Sequence, residues 1–182
     1  MDFGPMEIEL KNGRILRLRS VNGSDAETMI DYLRITASES PYLLRYPDEV
    51  NFTREGEERL LEEKRLSPKE FMMVAEVDGV LAGNCSVLSL GSMRRLSHRC
   101  EFAIALKKKY TGFGIGSIMM EHAFSLAKDM GYEQMELTVM EGNEAAMRLY
   151  ERKGFRVEGR QYHAFKYDDG RYLDAFMMVK LL

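Results

Sequence analysis

Apolar and polar residues alternate over 7–10 and 14–19, on either side of the favoured hairpin pair Asn12-Gly13, so the chain is predicted to open as β structure. Ser24 and Glu27 then stand at capping-box spacing ahead of Met29, Ile30 and Leu33, which predicts a helix to about Ser38. Pro41 and Pro47 break the pattern. After Thr53 a charge-rich helical stretch carries Leu60, Leu61 and Leu66 and stops near Pro68. Residues 71–77 and 80–90 read as two strands joined by the tight turn Asp78-Gly79.

A loop with Arg94 and Arg95 leads into Glu101-Phe102-Ala103-Ile104-Ala105-Leu106, a strand-like run that continues through Lys107, Lys108 and Lys109 into Thr111-Gly112-Phe113-Gly114-Ile115-Gly116-Ser117. Ile115, Ile118, Met119, Ala123, Leu126 and Met130 follow at three- and four-residue steps, one side of a helix that Gly131 can end. Residues 134–140 alternate as a strand, 143–153 form a helix terminated by Gly154, and 155–166 pairs with 171–180 around Asp169-Gly170. Strands with interspersed helices, hairpins at both ends and a crossover in the middle predict an α/β or α+β sheet of mixed direction.

Composition narrows the function. A chain of 182 residues, 45% of them hydrophobic, is the right size for one domain with its own core. A net charge of -3 argues against a general nucleic-acid binder. No apolar run reaches membrane-spanning length and residues 1–5 lack the regions of a signal peptide, so a cytoplasmic protein with no membrane partner is expected. Cys85 and Cys100 lie in apolar, strand-like sequence and are expected to be buried reduced thiols. His98, His122 and His163 show no metal-ligand spacing, so no metal is expected.

Strand, glycine turn and helix around Gly114 make the main chemical signal. Alternating glycines let a ligand approach the backbone, and the first amides of a helix have no internal partners and favour phosphate. The three lysines before the turn add positive charge. A P-loop would need lysine before Ser117, where Gly116 stands, and the dinucleotide fingerprint would need glycine at Ser117 or Met119.

The run from Thr111 to Gly116 resembles the Q/R-x-x-G-x-G/A acyl-coenzyme A motif of the GNAT superfamily of N-acetyltransferases, with Thr111 in place of the usual Gln or Arg. Downstream, Asn143-Glu144-Ala145-Ala146-Met147-Arg148-Leu149-Tyr150-Glu151-Arg152-Lys153-Gly154-Phe155 is similar to that family's N-x-x-A-x-x-L-Y-x-x-x-G-F segment. The ending from Asp169 to Asp174, with Met177, resembles the branch with bacterial polyamine and ribosomal-protein acetyltransferases. The resemblance implies one N-acetyltransferase domain over 1–182, with a mixed, mostly antiparallel central sheet flanked by helices on both faces. It also implies acetyl-coenzyme A as donor, a primary amine as acceptor and homodimerisation as a family habit.

Site roles follow from the same resemblance. The coenzyme pyrophosphate would lie on Thr111, Gly112, Phe113, Gly114, Ile115, Gly116 and Ser117, and backbone near Ile104, Ala105 and Leu106 would supply the oxyanion donor. Tyr150 would be the acid that protonates the leaving sulfur; the alternative is a core aromatic. Asn143 would contact the coenzyme, and could also be an N-cap. Glu101 would be the general base or, alternatively, a strand-end carboxylate paired with Arg99. A base is needed because an amine with pKa about 10.4 is almost wholly protonated at neutral pH. Asp48, Glu49, Glu55, Glu57, Glu58, Glu62 and Glu63 would either favour a cationic acceptor, such as a polyamine or a protein N-terminus, or form a solvated helix face. A non-catalytic acyl-coenzyme A sensor is the alternative function.

Overall fold

The alternation at the N-terminus builds the predicted hairpin: β1 (Met6–Glu9) pairs antiparallel with β2 (Ile15–Ser20), and Gly13 turns the chain at a φ of +77°. The structure, a computed structural model describing Met1–Leu182, continues with α1 (Ala26–Glu39), α2 (Arg54–Leu66), β3 (Phe71–Val77), β4 (Val80–Ser89) and β5 (Arg99–Leu106). It ends with α3 (Ile115–Asp129), β6 (Gln134–Met140), α4 (Glu144–Arg152), β7 (Arg156–Lys166) and β8 (Tyr172–Leu181). The strand order is β1-β2-β3-β4-β5-β6-β8-β7. Of the pairings, β5 with β6 is parallel, while β1/β2, β2/β3, β3/β4, β6/β8 and β7/β8 are antiparallel. The sheet is therefore mixed and mostly antiparallel, as expected.

The chain forms two compact units, Met1–Leu88 with Ala103–Ala123, and Ser89–Phe102 with Phe124–Leu182. In the first, β1 to β4 pair antiparallel in sequence order, with α1 and α2 between β2 and β3. Its core gathers Val21, Ala26, Met29, Tyr32, Leu61, Val74 and Leu81, with Leu33, Met72 and Ala105 packed against it. Each fully buried side chain of this size contributes about 1.5–3 kcal/mol, so Leu61 alone is a substantial anchor for α2. Thr53 caps α2 by accepting the amide of Gly56 at 3.1 Å.

The start of α1 differs from the expected Ser24/Glu27 box. Asn22 accepts the amide of Ser24, and Asp25 reaches back to the amide of Asn22 at 2.9 Å, so the box closes one short 3-10 turn earlier, over Gly23–Asp25. Arg19 fixes Asp25 with two contacts of 2.7 and 2.8 Å. That ion pair, absent from the expected capping spacing, holds Asp25 in the position from which it caps Asn22.

In the second unit Met135, Leu137 and Val139 occupy the buried face of β6, as their alternation predicts. The rings of Phe124, Tyr150 and Phe155 meet there, with Phe155 5.9 Å from each of the other two. On α3 the buried side chains are Ile115, Met119, Met120 and Ala123 in the first unit and Phe124 and Ala127 in the second, followed by Met130 just past its end. Ile118 and Leu126, expected among them, are only half-buried. The apolar surface of this helix is wider than its three- and four-residue steps suggest, and packing selects Met120 and Phe124 from it.

Candidate functional site

The glycine loop leaves β5 through a 3-10 turn at Lys108–Tyr110, fastened where the amide of Lys108 donates to Glu39 at 2.6 Å. Gly112 and Gly114 hold φ of +84° and +82°, the left-handed region that L side chains rarely adopt, and a Cβ on either would meet nothing within 4 Å. Residues 111–114 are exposed, whereas Ile115 is buried and anchors the start of α3. Ile118 makes the first helical hydrogen bond, donating to Gly114 at 3.1 Å. The amides of Ile115, Gly116 and Ser117 thus have no partner within the helix, and glycine at the cap offers no side chain to cover them. Three donors at a positive helix end, beside open space, fit a phosphate.

Of the three lysines ahead of this loop, Lys107 turns inward. Its side chain is buried and its ammonium lies 5.6 Å from the centre of the Tyr32 ring. Burial first, then the neighbouring Lys109, lowers its pKa. Lys109 lies over Tyr110 at 5.0 Å.

Ile104, Ala105 and Leu106 end β5 and are half-buried. Tyr32 secures this end: its hydroxyl donates to the carbonyl of Ala105 at 2.7 Å and accepts the amide of Asn84 at 3.2 Å. Gly83 permits the approach, since a Cβ there would sit 2.8 Å from the Ala105 oxygen and 2.2 Å from a Leu106 methyl. Neither residue stood out in the sequence, although a glycine inside a strand is a signal of close backbone approach.

In the second unit, Tyr150 is buried on α4, its ring edge-on to Phe155, and burial pushes its hydroxyl up to about 12. Asn143 is the N-cap of α4, accepting the amide of Ala146 at 3.3 Å. Glu101 is exposed and stands across from Glu136 in the parallel register. The expected alternative, an Arg99–Glu101 pair, does not form. Arg99 reaches diagonally to Glu136 in a two-pronged contact, 2.8 Å in the prong from Nη2 to Oε2, because Glu136 lies two residues beyond its register partner Gln134 on the same face.

The acidic segment separates into distinct roles. Glu49 accepts the amide of Tyr46, and Glu62 accepts that of Gly23 while pairing with Arg65. Asp48, Glu55, Glu58 and Glu63 are exposed. Glu57 alone of the group is buried. No group of His, Cys, Asp and Glu side chains here could hold a metal ion, and no helix is long and apolar enough to cross a membrane.

The sequence profile of the acetyltransferase (GNAT) family matches residues 34–155. Over 111 residues the chain is 27% identical to L-amino acid N-acetyltransferase AaaT of Escherichia coli K12, covering 60% of this chain and 67% of that protein. It is 32% identical over 114 residues to Spermidine N(1)-acetyltransferase of the same strain, covering 60% of this chain and 57% of that enzyme. The matches thus span about two thirds of the first relative's length and little more than half of the second's. The crystal structure of a GNAT-family acetyltransferase from Streptococcus pneumoniae aligns at a TM-score of 0.87 and 27% identity, covering 92% of this chain and 99% of that one. With the family profile matched over well over half of its length, the chain belongs to the acetyltransferase (GNAT) family.

Proposed function

We propose that residues 1–182 act as a single cytoplasmic N-acetyltransferase domain that moves the acetyl group of acetyl-coenzyme A directly onto a primary amine, on a polyamine-like small molecule or a protein N-terminus. The observation that carries this reading is the open start of α3, with free amides at Ile115, Gly116 and Ser117 beside unfilled space at Gly112 and Gly114. Residues 111–117 would hold the pyrophosphate, and backbone at 104–106 would face the acyl end. The coenzyme supplies an activated acetyl group as a thioester. Two similar enzymes are named for amine acceptors, spermidine and an L-amino acid.

Tyr150 suits the role of acid. With its hydroxyl raised to about 12 it stays protonated at neutral pH; because a thiolate of ordinary pKa about 8.5 is the weaker base, the role assigned to Oη is to donate a hydrogen bond that stabilises the leaving sulfur, with its proton passed on only as the ammonium proton of the new amide replaces it. Glu101, exposed and not paired with Arg99, is the proposed base that takes the ammonium proton directly or through water. Asn143 is assigned a coenzyme contact in addition to its cap.

A thiol-release assay with acetyl-coenzyme A over a broad amine panel tests the reading. Saturable release with at least one primary amine is expected, together with a thermal shift from acetyl-coenzyme A that ATP and NAD do not reproduce. Coenzyme binding without release across the whole panel would instead identify a non-catalytic acyl-coenzyme A sensor.

A further inference from the structure

Glu57 and Asp174 are the carboxylates buried in this chain, and they differ in what surrounds them. Asp174 accepts the amide of His163 at 2.8 Å and the Arg160 guanidinium at 2.6 Å. Glu57 is 4% exposed, yet its carboxylate accepts no hydrogen bond and joins no ion pair. The nearby charge that favours its ionised form is Arg45, whose guanidinium lies over the Phe52 ring at 5.4 Å. No fully buried side-chain oxygen or nitrogen in the protein lacks a hydrogen-bond partner. The unbonded oxygens of Glu57 must therefore still meet solvent, so this side chain is covered along its methylenes and open at its tip.

Glu57 lies in the same compact unit as the glycine loop and residues 104–106. Glu57 is one turn ahead of Leu61 on the same face of α2, and Leu61 packs in the cluster that contains Tyr32 and touches Ala105. Tyr32 in turn hydrogen-bonds the Ala105 carbonyl. A carboxylate covered along its stem and reached only by solvent at its tip is held in its charged form less well than a free one, as the upward shift of its pKa by burial shows, and a cation entering from solvent would favour that charge. No lysine or arginine of the chain bonds to it. We propose that Glu57 docks an ammonium group of the acceptor, making it a specificity-determining residue that favours amines with a second positive charge over those with a neutral far end. This deepens, and rests on, the N-acetyltransferase reading above.

The test uses 1,4-diaminobutane and 4-amino-1-butanol, which share one primary amine and differ in charge at the other end. With coenzyme A bound, the diamine should raise the melting temperature of the wild-type protein more than the amino alcohol does, and Glu57→Gln should remove the difference. In acetylation assays Glu57→Gln should raise KM for the diamine by about tenfold to a hundredfold, the scale of one charge-assisted hydrogen bond, and leave KM for the amino alcohol within about twofold. The variant without amine should melt at the wild-type temperature or above, because an unpaired buried charge has been removed. Equal treatment of the two amines by the wild-type protein, a preference surviving in Glu57→Gln, or a lower melting temperature would each overturn the assignment. If neither amine is acetylated while the diamine shift is present and lost in Glu57→Gln, the acetyltransferase reading fails and the docking role stands.

Discussion

The starts of α3 and α4 are built in opposite ways. Asn143 closes α4, its side chain accepting the amide of Ala146, whereas Gly114 leaves the amides of Ile115, Gly116 and Ser117 without a protein side chain over them. A side-chain cap is worth about 1 kcal/mol, so leaving α3 open forgoes stability that α4 keeps. What α3 gains is a set of free donors at the positive end of a 15-residue helix. One helix start is spent on folding and the other is available for an anion.

Filling the open start should have the largest effect. Gly114→Val places a β-branched residue at a φ of +82° and a side chain in the space above the amides. Loss of two amide–phosphate hydrogen bonds alone corresponds to about a hundredfold in affinity, so acetyl-coenzyme A binding by calorimetry should fall by at least ~100-fold. Wild-type affinity in a folded Gly114→Val protein would sink the assignment of the loop.

Tyr150 sharpens the contrast from the other side, since the role proposed for it lies in a step rather than in binding. Tyr150→Phe keeps the ring against Phe155 and deletes the donor, so kcat should fall by about tenfold to a thousandfold with coenzyme affinity little changed. Stability carries a second signature. A folded-state pKa of about 12 against an ordinary value near 10 means the folded protein holds its proton longer. The associated stability is complete below pH 10 and is lost as pH rises toward 12, on the order of 2–3 kcal/mol, a loss that Tyr150→Phe should lack. Unchanged turnover would return the residue to a core aromatic.

A smaller effect is expected at Glu101. Glu101→Gln removes an exposed carboxylate that has no part in the Arg99–Glu136 pair, so folding should be unaffected. The rate should drop by roughly tenfold at pH 6–7, where the amine is protonated, and recover toward pH 9.5 as more of it becomes neutral. A rate deficit constant across that range would remove Glu101 from proton transfer.

Most strand limits were readable because alternation and turn glycines are local: Gly13, Gly79 and Gly170 all hold the positive φ that their turns require. The loop at Gly114 was readable for the same reason. What escaped depends on distant partners. Arg19 pairs with the capping Asp25 before α1, Met120 and Phe124 are buried where Ile118 and Leu126 are only half-buried, and the diagonal register gives Arg99 to Glu136. Glu57 is indistinguishable in sequence from the other acids of α2, yet it shares a face with the core residue Leu61 and is buried. Turns and strand alternation are local properties, whereas side-chain partners depend on contacts between elements.

The smallest predicted effect separates the two roles assigned to Asn143. Removing the cap with Asn143→Ala should cost about 1 kcal/mol, read as a lower melting temperature or denaturation midpoint. Asn143→Ser restores a capping oxygen but is shorter and has no amide group, so it should recover most of that stability. Coenzyme affinity then decides the matter. If the residue only caps, the serine variant regains wild-type affinity along with stability. If the amide also touches the coenzyme, serine restores stability while affinity stays low, by about fivefold to tenfold for one neutral hydrogen bond. Recovery of both by serine would leave α4 with a purely structural start and concentrate coenzyme binding on the open amides of α3.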